Sequence, residues 1–409
     1  MEVNKNTFCG APWFQIRNRQ DMTKSMCCLV ERTQTDLDTE AMSPLEYLNT
    51  SKLQKMRRDM ANGVKVPECN ICWNVEKHKD FSYRMQINSS LEGNGKWLDT
   101  YFKNKKDYKT NMVMMADIKI GNTCNFSCVM CNPSDSSMIY NEWVKQKDSP
   151  FVKEYTDKDP DYFEKAKRQG FKQVNYREYI ESVIENKHIK YIKLLGGEPL
   201  LDQKLLNMLY SIPEERKNKI ELQIVTNGSH NLVEQKLKLG NFRRIQWNIS
   251  IEGIDSTQEY ARYGANWSTI EKHILEYEKA YPKNITILTC LQATTITGLP
   301  ALVEWTKKHS LALTINLLWQ PDYLSIKAVP KELKTLVLEI LKPLKNYFVS
   351  KNAEYETCDM ATLLSYIKDS TYDKKLHHKF MQYIAFYEKG KIIPNFLDVF
   401  KQWRPYYEV

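Results

Sequence analysis

From about residue 113 the chain alternates short apolar runs with amphipathic stretches. Six runs read as strands: MVMMADIKIG (112–121), IKYIKLLGG (189–197), IELQIVTNG (220–228), RIQWNISIEG (244–253), NITILTCLQAT (284–294) and LALTINLLW (311–319). Between most of them lie helical patterns such as DQKLLNMLYSI, NLVEQKLKL, NWSTIEKHILEYEKAY and LPALVEWTKKH. Strand–helix alternation of this kind implies a parallel sheet with helical crossovers. Six units are too few to close an eight-fold barrel. The predicted fold is therefore α/β, a partial (β/α)6 TIM-like barrel. In such architectures active sites collect at the C-terminal ends of the strands.

The flanking regions have different patterns. Residues 1–90 are rich in Cys, Met and turn residues with weak periodicity, and read as a small Cys-rich module. Residues 91–111 read as a polar connector, 112–328 as the barrel, and 329–409 as a helical C-terminal region. In that last region KELKTLVLEILKPLKNYF is amphipathic and is expected to pack on the barrel. The charged, aromatic stretch 145–187 is longer than a usual connection. It reads as a lid, a partner surface or a helical insertion.

Composition narrows the class. The 409 residues hold 59 Lys and Arg against 50 Asp and Glu, a formal charge of +9. That excess suits an acidic substrate or partner, and the basic residues are scattered, so nucleic-acid binding is not expected. No apolar run approaches the roughly 20 residues a membrane span needs. MEVNKNTFCGAPWF lacks the basic and apolar regions of a secretion signal. A cytoplasmic protein is the simplest expectation.

The ten cysteines are unevenly spread. Cys9, Cys27, Cys28, Cys69 and Cys72 lie early; Cys124, Cys128 and Cys131 form a tight group; Cys290 and Cys358 stand alone. In a reducing compartment, clustered cysteines argue for metal or cluster binding over disulfides. The two isolated ones read as buried thiols without chemistry.

GNTCNFSCVMC spaces its thiols C-x3-C-x2-C immediately after the first barrel strand. Fe–S clusters are usually held by four cysteines. A loop offering three leaves one iron open, which is what a reacting ligand needs. A zinc loop or a group of buried free thiols is the alternative, although structural zinc normally takes four ligands.

This spacing resembles the signature of the radical S-adenosylmethionine (SAM) superfamily. The resemblance implies that Cys124, Cys128 and Cys131 hold a [4Fe–4S] cluster whose open iron chelates SAM. Reductive cleavage of SAM then gives a 5′-deoxyadenosyl radical. It further implies that Met130 lies near the adenine. The second strand ends in LLGGEPLL, similar to the family's GGE motif, so Gly196, Gly197 and Glu198 are expected at the SAM amino group, where an ammonium wants a carboxylate. By the same resemblance Thr226, Asn227, Ser250 and Glu252 hydrogen-bond the ribose and the methionyl carboxylate. The family more commonly carries Asp where this chain has Glu252. Ordinary turn chemistry is the alternative for Asn227–Gly228.

The early cysteines, in the order C-x2-P-W … C-C … C-x2-C-W, resemble the auxiliary-cluster modules called SPASM and twitch domains, placed here ahead of the barrel rather than after it. The resemblance implies an auxiliary [4Fe–4S] cluster on Cys9, Cys27, Cys69 and Cys72. Cys28 is an alternative to Cys27, and zinc an alternative metal, since both accept four thiolates. Trp13 and Trp73 read as core residues beside that site. The function expected from the resemblance is hydrogen abstraction from a substrate C–H bond, with peptide or protein modification the leading class and a carbohydrate or nucleotide-derived small molecule the alternative. A flavodoxin or ferredoxin is the expected electron donor. A structural metal-binding scaffold, with no SAM turnover, is the reading from another class.

Overall fold

The computed structural model describes residues 3–19, 21, 23–30, 39–77, 82–92, 97–105, 107–170, 176–318, 320–344 and 360–407. Ten strands are formed among them: β1 Gln15–Asn18, β2 Lys24–Ser25, β3 Met115–Ile120, β4 Ser127–Cys128, β5 Tyr191–Gly196, β6 Glu221–Thr226, β7 Arg244–Ser250, β8 Arg262–Tyr263, β9 Ile285–Leu291 and β10 Ala312–Leu317. Eight make one sheet in the order β10-β9-β7-β6-β5-β3-β1-β2. Every pairing in it is parallel except β1 with β2. The six strands expected from periodicity are all present, in a partial TIM-like α/β arrangement.

Two features differ from the sequence reading. The Cys-rich region adds β1 and β2 to the edge of the barrel sheet, with β1 parallel to β3. A strand of four residues is too short to announce itself by alternation. The stretch read as a polar connector contains the helix Trp97–Lys103, whose Phe102 is buried edge-on against Phe8 and Trp13. The buried positions described in this helix, Leu98 and Phe102, span a single turn of a stretch that is polar on average, too short to establish a helical period, so this anchor was not legible.

The register of the sheet sorts its residues by face. One transverse row is Ile16, Ala116, Ile192, Leu222 and Ile245, all buried. Successive strand residues point to opposite faces. This apolar row is therefore on the face covered by the crossover helices. The next row falls on the opposite, inner face.

Stretch 145–187 is helical over Pro150–Thr156, Tyr162–Gly170 and Tyr176–Glu185. Phe151 packs against Trp143, Tyr383 and Phe386, which fixes the first of these helices to the C-terminal region. That region forms Lys331–Leu341, Met360–Asp369, Lys374–Glu388 and Phe396–Val399. Helix Lys374–Glu388 packs under the cysteine loop: Tyr383 Oη donates to Val129 O (2.6 Å) and Tyr387 Oη to Ser127 O (2.7 Å). Residues 345–348 of the predicted amphipathic segment, and Cys358, lie outside the described residues. Among the described residues no helix is long and apolar enough to cross a membrane.

Candidate active site at the strand C-termini

The three-cysteine loop leaves β3 and returns through β4. It is fixed at several points. Ser137 N donates to Asn122 O (2.8 Å), and Cys124 N donates to Ser137 Oγ (3.3 Å). Cys131 N donates to Cys128 O (3.0 Å), closing the turn. β4 pairs antiparallel with β8, setting Cys128 opposite Arg262.

The electrostatics favour thiolates at part of this loop. Phe126 N donates to Cys124 Sγ (3.5 Å). Arg262 Nη1 donates to Cys128 Sγ (3.5 Å), and its Nη2 ion-pairs with Glu252 Oε1 at 2.6 Å. Burial opposes the charge on Arg262, yet the adjoining Cys128 and Glu252 outweigh it and raise its pKa. A hydrogen bond shared with Cys131, with Arg262 beside it, lowers the Cys128 thiol; the same shared bond raises Cys131. Burial pushes Cys124 up to about 11.

Among the described residues no three His, Cys, Asp or Glu side chains gather closely enough to enclose one metal ion. Three thiols are one short of the four ligands a structural zinc takes, whereas a cubane takes each thiolate on a separate iron. The donor set of three thiols on one loop, with N–H and guanidinium groups on two of the sulfurs, fits a cluster.

The glycines of β5 serve the loop. A Cβ at Gly196, where φ is +151°, would lie 2.0 Å from Ile120 O, and one at Gly197 would lie 2.2 Å from Thr123 O. Only residues without side chains let this turn touch the backbone of the cysteine loop. The space a side chain would take at both positions is thus filled by that loop's own backbone. Gly197 N and Glu198 N donate to Gly121 O (3.3 Å) and Thr123 O (2.8 Å).

Glu198 is 3% exposed. Its Oε1 accepts from Leu200 N (3.1 Å) and Thr226 Oγ1 (2.9 Å), and its Oε2 from Asn227 N (2.7 Å). Burial raises its pKa to about 7, against the lowering effect of these bonds. No Lys or Arg among the described residues ion-pairs with it. A buried carboxylate of this kind gains from an incoming ammonium. Asn227 Nδ2 donates to Asn125 Oδ1 (2.8 Å), tying the end of β6 to the cysteine loop.

The predicted cofactor residues therefore divide. Glu198, Thr226 and Asn227 form one hydrogen-bonded set beside the cysteine loop. Met130 is half-buried within that loop, and Ser250 is half-buried at the end of β7. Glu252 belongs to another set. It is 1% exposed and, besides Arg262, accepts from Cys290 N (2.8 Å) and Thr289 Oγ1 (3.3 Å). It braces Arg262 and the end of β9. Arg262 was missed in the sequence: its tie to Cys128 arises from the β4–β8 pairing across 134 residues, which no local periodicity reports. Cys290 is half-buried in β9, and burial pushes its thiol to about 12.

The early cysteines meet in a second place. Cys9, Cys27, Cys69 and Cys72 line one pocket, together with Tyr83 and Arg84. Cys69 closes a short helical turn and Cys72 follows one turn later, so both reach the same space. Leu29 N donates to Cys27 Sγ (3.4 Å), and Arg84 is held by Glu76 at 2.7 Å. Cys28 is not in the lining; it lies in electrostatic range of Asp117, Arg17 and Lys193. Burial pushes Cys9 up to about 12 and Cys69 higher still. Trp13 and Trp73 are both buried; the latter donates to Val66 O (2.9 Å) and lies under the Arg84 guanidinium.

Comparison with known proteins bears on the barrel. Residues 118–305 match the family model of the radical SAM superfamily. A probable GTP 3′,8-cyclase of Methanococcus aeolicus is 27% identical over 176 residues, covering 39% of this chain and 58% of the relative. A GTP 3′,8-cyclase of Nitrobacter winogradskyi is 25% identical over 135 residues, 32% of this chain and 38% of the relative. The chain thus matches less than two thirds of either relative. The solved structure of native anSMEcpe with bound AdoMet aligns with a TM-score of 0.37 and 19% identity over 57% of this chain and 60% of that one. Residues 118–305, which carry the three-cysteine loop, the glycines and glutamate of 196–198 and the ends of β6 and β7, are thus the part of the chain that is similar to the radical SAM superfamily.

Proposed function

We propose that this chain is an enzyme that cleaves SAM reductively and abstracts hydrogen from a substrate C–H bond. The observation that carries the reading is the loop itself: Cys124, Cys128 and Cys131 lie on one turn at the strand ends, locked to the glycine turn of β5 and held by Arg262. Cys124, Cys128 and Cys131 would hold a [4Fe–4S] cluster, which would supply the reducing chemistry for cleaving a sulfonium C–S bond of SAM. The chain's own residues hold the pieces in place. Glu198 offers a buried carboxylate to the SAM ammonium, while Thr226, Asn227 and Ser250 stand at neighbouring strand ends for the ribose and carboxylate. Met130 supplies an apolar contact for the adenine. Gly196 and Gly197 keep the β5 turn against the loop.

The N-terminal pocket is proposed as an auxiliary module. Four thiols around one space suit a second [4Fe–4S] cluster, with zinc as the alternative metal. The lining favours Cys27 over Cys28 as the ligand. Four thiolates leave no iron open for substrate, which favours electron transfer. A flavodoxin or ferredoxin is the proposed donor. Of the two substrate classes expected from the sequence, the small-molecule class gains support, because both curated relatives are named as acting on GTP.

The test is anaerobic reconstitution with iron and sulfide, followed by SAM and a strong reductant. Wild type should release 5′-deoxyadenosine, and a Cys124→Ala/Cys128→Ala/Cys131→Ala variant none. Absence of product from a chain shown to carry its full iron and sulfide would leave the scaffold reading in its place.

A further inference from the structure

The inner face of the sheet carries a row that a barrel interior does not ordinarily hold. Arg17, Asp117, Lys193, Gln223 and Gln246 stand in continuous register across β1, β3, β5, β6 and β7. Registered residues of adjacent strands share a face, and the apolar row one residue earlier takes the helix side. All five therefore project inward. Interiors of related barrels are filled mostly by branched apolar side chains. Five polar residues in one row point instead to a chamber that holds something polar.

The row is polarised. Gln223 and Gln246, at its far end, are engaged with neighbours: Tyr191 donates to Gln223, and Gln246 donates to Thr286 Oγ1 (3.0 Å). The near end is not satisfied. Arg17 Nε lies 3.7 Å from Asp117 Oδ2, too far for a hydrogen bond. Both Arg17 Nε and Asp117 Oδ1 are buried polar atoms without a hydrogen-bond partner. Lys193, beside them, has no acidic partner among the described residues. Two cations thus stand beside one carboxylate in the register, and two buried atoms there, Arg17 Nε and Asp117 Oδ1, are left with their hydrogen-bonding capacity unmet.

We propose that Arg17 and Lys193 bind an anionic group, phosphate or carboxylate, of a polar small-molecule substrate inside the barrel. Asp117 orients Arg17 and offers its second oxygen to a donor on the same molecule. Position supports the assignment. Lys193 lies three residues before the end of β5, on the order of 10 Å along the strand from the glycine turn. Cys28, next to the thiol of the N-terminal pocket, faces the same cations. An anion held there lies between the two cysteine sites, with the rest of the substrate reaching toward the strand ends. Arg17 comes from β1, so the Cys-rich region supplies half of this anchor. The inference deepens the proposed function and rests on that reading for the word substrate, but not for the binding site.

The cluster-loaded full chain is titrated calorimetrically with pyrophosphate in one arm and malonate in the other. Saturable single-site binding of one of them is expected, and which one tells phosphate from carboxylate. Lys193→Gln and Arg17→Gln should each weaken it about ten-fold or more. Lys193→Arg should keep most of it, and Lys272→Gln, an exposed lysine, should change nothing. Binding of neither anion to wild type would overturn the proposal, as would equal binding by both Gln variants with unaltered thermal melts. Measuring 5′-deoxyadenosine in the same preparations separates the two claims. Product without anion binding sinks this inference alone; anion binding without product sinks the radical SAM activity alone.

Discussion

The two cysteine sites are built in opposite ways. At the strand ends, three thiols come from one short run of sequence, Cys124 to Cys131, on a loop the barrel already holds in place. The N-terminal four come from three segments far apart in sequence, around Cys9, around Cys27, and around Cys69 with Cys72. The first site is tied down by backbone bonds, glycine contacts and the hydroxyls of Tyr383 and Tyr387. The second is a pocket between separate short elements, among them the helices Asn70–Lys77 and Tyr83–Glu92, its thiols pushed upward by burial. A preformed loop tunes whatever it binds. A site gathered from distant segments uses the bound group to hold those segments together, so that binding energy becomes folding energy.

The largest test of this contrast is thermal. Cys72→Ala in the loaded chain should cost several kcal/mol and lower the melting midpoint by on the order of 10 °C. Iron content should drop by about one cluster. Cys128→Ala should lose a similar amount of iron with a much smaller change in midpoint, because its loop is held by the barrel. Equal shifts for the two variants, followed by calorimetry, would abolish the distinction.

Glu198 sharpens the description of the strand-end site. Its carboxyl is raised from 4.5 to about 7 by burial. In the unfolded chain it ionises near the lower value, whereas in the fold it keeps its proton to the higher one. Between the two the folded state binds more protons, so this group's contribution to stability falls as pH rises from about 4.5 to about 7. The full effect is on the order of 3 kcal/mol. Without SAM or metal, wild type should therefore lose stability relative to Glu198→Gln across that window. The Gln variant loses acceptors for Thr226 and Asn227 at every pH, so the slope of the difference is the readout, not its absolute value. A flat difference between pH 5 and 8 would mean that Glu198 is ionised throughout.

Much of the barrel was legible because its signals are local. Apolar runs of the right length gave all six parallel strands, and the cysteine spacing gave the loop. The glycine turn was read by resemblance as part of the SAM site; the structure adds that Gly196 and Gly197 make room for the backbone of β3 and the cysteine loop at the positions their side chains would fill. What stayed hidden depends on register. β1 is four residues long, and its Arg17 reads as an ordinary surface charge until β3 places it beside Asp117. Phe102 gives no sign that it anchors residues 97–103 on Trp13. Glu252 reads as a ligand of the cofactor because it ends a strand with a familiar motif. Its carboxylate braces a cation ten residues later, a role the motif does not announce.

That cation supplies the finest test of what a preformed loop does. Arg262 is half of a two-residue strand paired with β4, so its guanidinium is held against Cys128 Sγ by backbone geometry as well as by Glu252. A positive group beside a ligating sulfur favours the reduced, more negative state of a cluster, since outer-shell charge and hydrogen bonds set its potential. A bond of this charge-assisted kind is worth about 1.5 kcal/mol, which for one electron is on the order of 60 mV. Arg262→Gln should move the midpoint of the strand-end cluster to more negative values by about that much, read by electron paramagnetic resonance during a redox titration. Glu252→Gln removes a negative charge from the same site and should move it the other way, to less negative values, while Arg262 stays in place through β8. Arg262→Lys keeps a charge without the planar fork and should fall between wild type and Gln. The auxiliary cluster proposed for the N-terminal pocket, which Arg262 does not line, would serve as the internal reference in the same titration. An unmoved strand-end potential with full iron loading would reduce Arg262 to a structural tie between β8 and the loop, and the contrast between a tuned site and a gathered one would then rest on stability alone.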